Sequence, residues 1–148
     1  MILLIEDDPA DARLIQRALA KVEIPVPVVR LTNGEDAIAY LRGDHPYENR
    51  KSYPMPILVL LDIKLPRKNG FEVLEWIRGQ MVSTRRMIVI MMTASRHSVD
   101  VNRAYDLRVN SYLVKPATSE ELLSIATLIK KYWLDYNVNP ALGEVRGA

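Results

Sequence analysis

Residues 2–9 read Ile2-Leu3-Leu4-Ile5-Glu6-Asp7-Asp8-Pro9. Four consecutive apolar residues run straight into three acids and a proline. A strand with one wet face would alternate polar and apolar residues; this one does not, so it reads as a strand covered on both faces, as in a parallel sheet. Asp8-Pro9-Ala10-Asp11 then opens a helix, with a cap at Asp8, proline in the first turn and an acid at the third position. Ala12, Ile15, Leu19 and Val22 fall on one face of that helix, with Leu14 and Ala18 alongside.

The same strand-then-helix pattern recurs along the chain. Apolar runs lie at residues 2–5, 26–31, 57–61, 87–92 and 112–114, separated by segments of helical period such as Phe71, Leu74 and Ile77. Asn69 precedes Gly70-Phe71-Glu72 as a cap, and Thr118-Ser119-Glu120-Glu121 reads as a capping box. Glu120 and Glu121 open the last helix and Lys130 and Lys131 lie near its end, as the helix dipole favours. The pattern predicts an α/β fold, a doubly wound (βα)5 unit with a five-stranded parallel sheet of order 2-1-3-4-5. Pro25 and Pro27 suit an edge position for the second strand. Trp76 and the methionines at 87, 91 and 92 read as core or half-buried packing.

The chain has 148 residues, 49% of them hydrophobic and 26% charged, with 20 Lys+Arg against 18 Asp+Glu. That is a globular balance and one domain's length. The basic residues come as scattered pairs, which gives little support to a nucleic-acid groove or a membrane-surface patch. The cysteine count of 0 excludes disulfides, thiolate metal sites and a Cys nucleophile. No apolar run is long enough to span a bilayer and no signal peptide is visible, so the reading is of a soluble, cytoplasmic chain. A domain over 1–134 and a tail over 135–148 are expected, with no output domain. A polar stretch over 43–56 is longer than the usual connection of roughly 2–6 residues.

In such a sheet ligands bind beyond the carboxyl ends of the strands. The strand ends carry Glu6-Asp7-Asp8, Asp62, Thr93-Ala94-Ser95 and Lys115-Pro116. Asp8 is fully explained as a helix cap and is given no metal role. Two carboxylates ~5 Å apart repel by about 3 kcal/mol at an effective dielectric of 20. Glu6, Asp7 and Asp62 sum to three negative charges and Lys115 returns one, so a divalent cation would balance the set. Carboxylates select a hard ion, Mg2+ or Mn2+. Such an ion suits phosphoryl transfer, with a carboxylate as nucleophile, Thr93 and Lys115 as donors to phosphoryl oxygens, and Ala94 leaving room. On charge counting alone, removing the Asp62 charge would stabilise the metal-free chain.

This constellation resembles the receiver domain of two-component response regulators. The similarity spans about residues 2–134 and rests on Glu6-Asp7, Asp62, Pro66, Gly70, Thr93-Ala94 and Lys115-Pro116. The resemblance implies that Asp62 accepts a phosphoryl group from a histidine kinase. It also implies that Asp7 and Asp62 bind Mg2+ directly, Glu6 through water, and Lys64 through its backbone carbonyl. Thr93 and Tyr112 would be paired switch residues, and the Lys115–Pro116 bond would be cis. The acidic pair is Glu-Asp rather than Asp-Asp, which leaves Asp7 intact. The 43–56 stretch, the run Leu65-Pro66-Arg67-Lys68-Asn69-Gly70 and the aromatic last helix resemble single-domain regulators of phytochrome-type photoreceptor kinases. The protein would then be a signalling phosphoacceptor, not a turnover enzyme, though it would assist its own phosphorylation and dephosphorylation.

Other functions fit less well. No glycine-rich phosphate loop follows the first strand, which disfavours a flavin or dinucleotide site. Lys64 stands where an aspartyl phosphatase would carry a second Asp. The remaining alternative is a scaffold that binds partners without phosphorylation. His45 and His97 are isolated and read as surface residues. On the last helix, Leu122, Ile125, Ile129 and Trp133 form the inward stripe. Leu128, Tyr132, Leu134 and Tyr136 lie off it, and predict a homodimer through this helix and the adjacent face unless the tail folds back over them.

Overall fold

The computed structural model describes residues 1–142 apart from residue 82; the last six residues of the tail lie outside the described residues. Five parallel strands stand in the order β2-β1-β3-β4-β5. They are β1 (Ile2–Ile5), β2 (Val28–Leu31), β3 (Leu58–Leu61), β4 (Val89–Thr93) and β5 (Ser111–Val114). The helices are α1 (Pro9–Lys21), α2 (Gly34–Arg42), α3 (Gly70–Arg78), α4 (Ser98–Asp106) and α5 (Ser119–Leu128). β1, β3 and β4 are buried along their whole length, while β2 and β5 at the edges are half-buried. β2 starts two residues later than its apolar run. Pro27 lacks an N–H and can only accept, from Ile2 N at 2.8 Å, so pairing in both directions begins at Val28.

Alternate residues of each strand feed two cores. Leu3, Ile5, Val59, Leu61, Val89 and Met91 pack against α2 and α3. Ile2, Leu4, Leu58, Leu60, Ile90 and Met92 pack against α1 and α5. The side chain of Asp8 accepts from Ala10 N and Asp11 N, and Asn69 forms a full capping box with Glu72. Thr118 makes only half of the expected box: its hydroxyl accepts from Glu121 N at 3.2 Å, with no return bond from the Glu121 side chain among the described residues. Lys130 also departs from expectation, since it donates to the carbonyl of Val22 at 2.8 Å. It thereby satisfies the C-terminal end of α1 rather than that of its own helix.

The 43–56 stretch is ordered by aromatic packing. Tyr47 lies between Tyr40 and Tyr53, with ring centroids 5.1 and 5.2 Å away. Arg50 donates to the carbonyls of Tyr40 and Leu41 at 2.8 Å and to that of Tyr53 at 3.2 Å. The last turn of α2 leaves carbonyls without helical partners, and this guanidinium takes two of them.

After Leu128 the last helix changes winding. Ile129–Tyr136 is a π-helix, ended by Asn137 N donating to Tyr132 O at 2.7 Å. The wider i→i+5 spacing brings Leu134 round to the side of Ile129, where it packs against the core with Trp133. Leu134 was expected to lie outside and does not. Leu128, Tyr132 and Tyr136 do remain exposed. The described part of the tail folds back elsewhere, with Leu142 against the core near Met55 and Met87. His45 and His97 are exposed, and Trp76 is half-buried. Among the described residues no helix is long and apolar enough to cross a membrane.

Candidate functional site

Strand ends place the site. β1 delivers Glu6 and Asp7, β3 delivers Asp62, β4 ends in Thr93, and β5 is followed by Lys115. The β3 end needs a glycine nearby. A Cβ on Gly70 would lie 2.2 Å from the Asp62 carbonyl oxygen, so α3 can start this close only without a side chain there. An open cleft of about 270 Å3 results, lined by Asp7, Asp8, Asp11, Asp62, Lys64, Thr93, Ala94, Ser95 and Lys115.

The Lys115 ammonium is the hub. It lies 2.5 Å from Glu6 Oε1 and 2.8 Å from both Asp11 Oδ2 and Asp62 Oδ2. Burial alone would lower this ammonium, but its bonds to Asp11, Asp62 and Glu6 outweigh burial and hold it above its ordinary value. Asp62 Oδ1 accepts from Ile63 N at 2.7 Å. Burial would raise the Asp62 carboxyl, yet hydrogen bonds with Glu6, Lys115 and Thr93 prevail and set it below the usual value. Glu6 goes the other way: burial first, and Asp62 beside it, raise its carboxyl to about 7. The two carboxyl groups therefore share a proton near neutral pH, held on Glu6.

Glu6, Asp7 and Asp62 each offer a carboxylate oxygen, all within 4.8 Å of one another. Both Glu6 side-chain oxygens are buried and make no hydrogen bond of good geometry, despite the nearby Lys115. A cluster of oxygens with an under-satisfied buried carboxylate suits a hard divalent cation. Every expected site residue reaches the cleft or its wall. Glu6 is behind it, Lys64 is on its rim and Tyr112 is beside it, with its hydroxyl donating to the Ser95 carbonyl at 2.9 Å. The Lys115–Pro116 bond is a correction. It is trans, the cis X–Pro bond being His45–Pro46. X–Pro bonds differ by only about 0.5–1 kcal/mol between forms, so the surroundings decide. Here Lys115 N donates to Thr93 O at 2.7 Å and its ammonium reaches all three carboxylates with the bond trans.

Sequence reasoning missed Asp11. Its place in the first turn of α1 was already explained by the helix dipole. The overlooked signal is its spacing four residues after Asp7, one turn into the helix, on the side that faces Lys115. Arg30 was missed as well: Nε donates to the Glu6 carbonyl at 3.0 Å and an Nη to that of Asp7 at 3.1 Å.

Residues 2–127 match the family described as "Response regulator receiver domain". The chain belongs to this family. It is 38% identical over 141 residues to response regulator Rcp1 of Synechocystis, covering 95% of this chain and 93% of that protein. It is 39% identical over 140 residues to a probable methanogenesis regulatory protein, FilR2, of Methanothrix harundinacea, covering 95% and 87%. Among solved structures it superposes on the phosphorylated cyanobacterial phytochrome response regulator RcpA with a TM-score of 0.87 and 39% identity, covering 95% of this chain and 97% of that one. With the Mn2+-bound form of Rcp1 the TM-score is 0.85 at 37% identity, covering 95% and 98%. The receiver domain is a signalling module that works with a histidine kinase. The trio of Glu6, Asp7 and Asp62 forms the acidic pocket at which receiver domains bind Mg2+.

Proposed function

We propose that Asp62 accepts a phosphoryl group from a histidine kinase of the phytochrome photoreceptor type, and that the protein relays this signal in the cytoplasm. The single observation behind this reading is the Lys115 bridge. An ammonium 2.8 Å from Asp62 Oδ2, across from a carboxylate trio, is placed to hold both the nucleophile and an incoming phosphoryl oxygen. The RcpA and Rcp1 neighbours support the photoreceptor partner. FilR2, of equal identity, makes kinases of other input the necessary comparison.

Asp7 and Asp62 would hold Mg2+ directly, with Lys64 giving its backbone carbonyl and Glu6 acting through water. Bound there, the ion neutralises charge on the phosphoryl oxygens. An Asp62 carboxylate oxygen attacks phosphorus and the phosphorus–nitrogen bond of phosphohistidine breaks. The ring nitrogen keeps the electron pair and takes a proton. Lys115 and the Thr93 hydroxyl then donate to the transferred group, and the same residues assist its later loss to water. Thr93 moving toward the phosphoryl group leaves space beside β4. Tyr112 can fill it once its bond to the Ser95 carbonyl is released, so the β4–α4 loop and β5 change together.

In this reading residues 1–134 act as the receiver unit and the signal leaves through contact with partners. Exposed Leu128, Tyr132 and Tyr136 are the candidate contact of a homodimer. The test of the site is incubation with phosphoramidate and Mg2+ followed by intact mass. One phosphoryl group should add to the wild type and none to Asp62→Asn; labelling of that variant refutes the assignment. Transfer rates from a phytochrome kinase and from unrelated histidine kinases decide the partner. Sedimentation equilibrium of Tyr132→Ala, Tyr136→Ala against wild type, in both phosphorylation states, tests the dimer.

A further inference from the structure

We infer that Arg30 is a positioning residue for the metal pocket, acting through the main chain of the residues that supply its carboxylates. The inference rests on the reading of Glu6 and Asp7 as the acidic pair of that pocket. Arg30 stands on the edge strand β2, paired in register with Leu4, on the side of the sheet that carries α1. Its guanidinium spans two successive carbonyls, those of Glu6 and Asp7, at 3.0 and 3.1 Å. Both lie past Ile5, where the register of β1 with β2 ends. The chain there has left the sheet and not yet entered α1, which begins at Pro9.

Three observations give this fork its purpose. The Asp7 carboxylate is exposed and makes no hydrogen bond or ion pair with any other described residue, so its direction depends on its backbone alone. Arg30, although surrounded by acids, has no carboxylate within 4.0 Å among the described residues and spends its donors on carbonyls. The carboxylates of Glu6 and Asp7 are thereby left free for the pocket. Rotation of the peptide between Glu6 and Asp7 would swing the Asp7 carboxylate away from Asp62, and a planar guanidinium bound at both carbonyls opposes that rotation. A lysine at this position keeps the charge but is a point donor that cannot span two carbonyls in fixed geometry.

The test uses Mn2+ as the probe, its free fraction read by electron paramagnetic resonance, on wild type, Arg30→Lys and Arg30→Met. If the fork positions the pocket, both variants bind Mn2+ roughly tenfold more weakly, the scale typical of residues that orient ligands. Phosphoramidate labelling in saturating Mg2+ should return to the wild-type rate in both, which a general loss of structure would not allow. If Arg30 acts only as a charge, Arg30→Lys binds as wild type and Arg30→Met binds more tightly, and the inference is overturned. Unchanged affinity in both variants overturns it too. Arg30→Gln, which keeps a neutral donor, replaces Arg30→Met if the latter does not fold. A wild type that binds no Mn2+ defeats the pocket reading itself, whereas wild-type binding with unaffected variants defeats only the role of Arg30.

Discussion

Lys115 Nζ lies 2.8 Å from Asp62 Oδ2 across an interval of 53 residues, and this contact ties the end of β5 to the end of β3. The ammonium serves Glu6 and Asp11 as well. One cation therefore offsets three carboxylates, two of them buried.

Removal of the Lys115 charge should be costly without metal. Lys115→Met leaves Glu6 and Asp62 buried without their counter-ion, and breaking a buried pair from one side costs roughly 3–5 kcal/mol. Urea unfolding in chelator should show a loss of that order, with a smaller loss in Mg2+. A loss independent of Mg2+ would mean that Lys115 stabilises through packing of its stem.

Glu6→Gln should raise the metal-free melting temperature. Counting charges suggested Asp62 as the residue whose neutralisation relieves the site. The geometry transfers that role to Glu6, because Lys115, Glu6 and Thr93 favour the ionised form of Asp62 while burial disfavours that of Glu6. Asp62→Asn should give no such gain. Calorimetric scans of both variants in chelator at pH 8 distinguish the two, and a gain for Asp62→Asn alone would reverse the assignment.

The same shift fixes a pH dependence. Folded Glu6 binds its proton up to about 7 and the unfolded side chain only to its ordinary 4.5, so the folded state holds more protons between these values. Its contribution is fully present below the unfolded value and is lost as pH rises through about 7. Metal-free stability should fall over that window in wild type and stay flatter in Glu6→Gln. Chemical unfolding at a series of pH values measures the difference.

Gly70→Ala should damage the site through the backbone. The added Cβ would meet the Asp62 carbonyl at 2.2 Å and Ile63 Cα at 2.9 Å, both parts of the main chain that cannot swing aside. Overpacking of this kind costs typically 1–3 kcal/mol. Urea unfolding should show that loss, together with weaker Mn2+ binding because Asp62 is displaced. Wild-type stability would show that α3 can slide away from β3.

The parts of the molecule governed by local pattern were readable in the chain. β1 occupies the four residues its apolar run marked, and Asp8 and Asn69 cap as their spacing implied. Strand ends are ordered by topology, so Glu6, Asp7, Asp62, Thr93 and Lys115 could be brought together before any coordinates. What escaped depends on long side chains reaching across the fold. Arg30 meets carbonyls 23 and 24 residues away, and Asp11 meets a lysine 104 residues away. Neither periodicity nor capping rules carry such distances. Arg50 and the tyrosine trio escaped for a related reason, since a polar loop can hide a packed interior.

The π-wound turn after Leu128 makes the outward direction of Tyr132 and Tyr136 a matter of residue count. Deleting one residue between Ile129 and Trp133 would restore α spacing and rotate everything beyond it relative to the sheet. Gene duplicates could thus diverge in whom they pair with through a single-codon deletion, leaving the acidic cleft at the opposite end of α5 untouched. Insulation between parallel pathways would then arise from length changes in the last helix, ahead of any substitution in the chemistry.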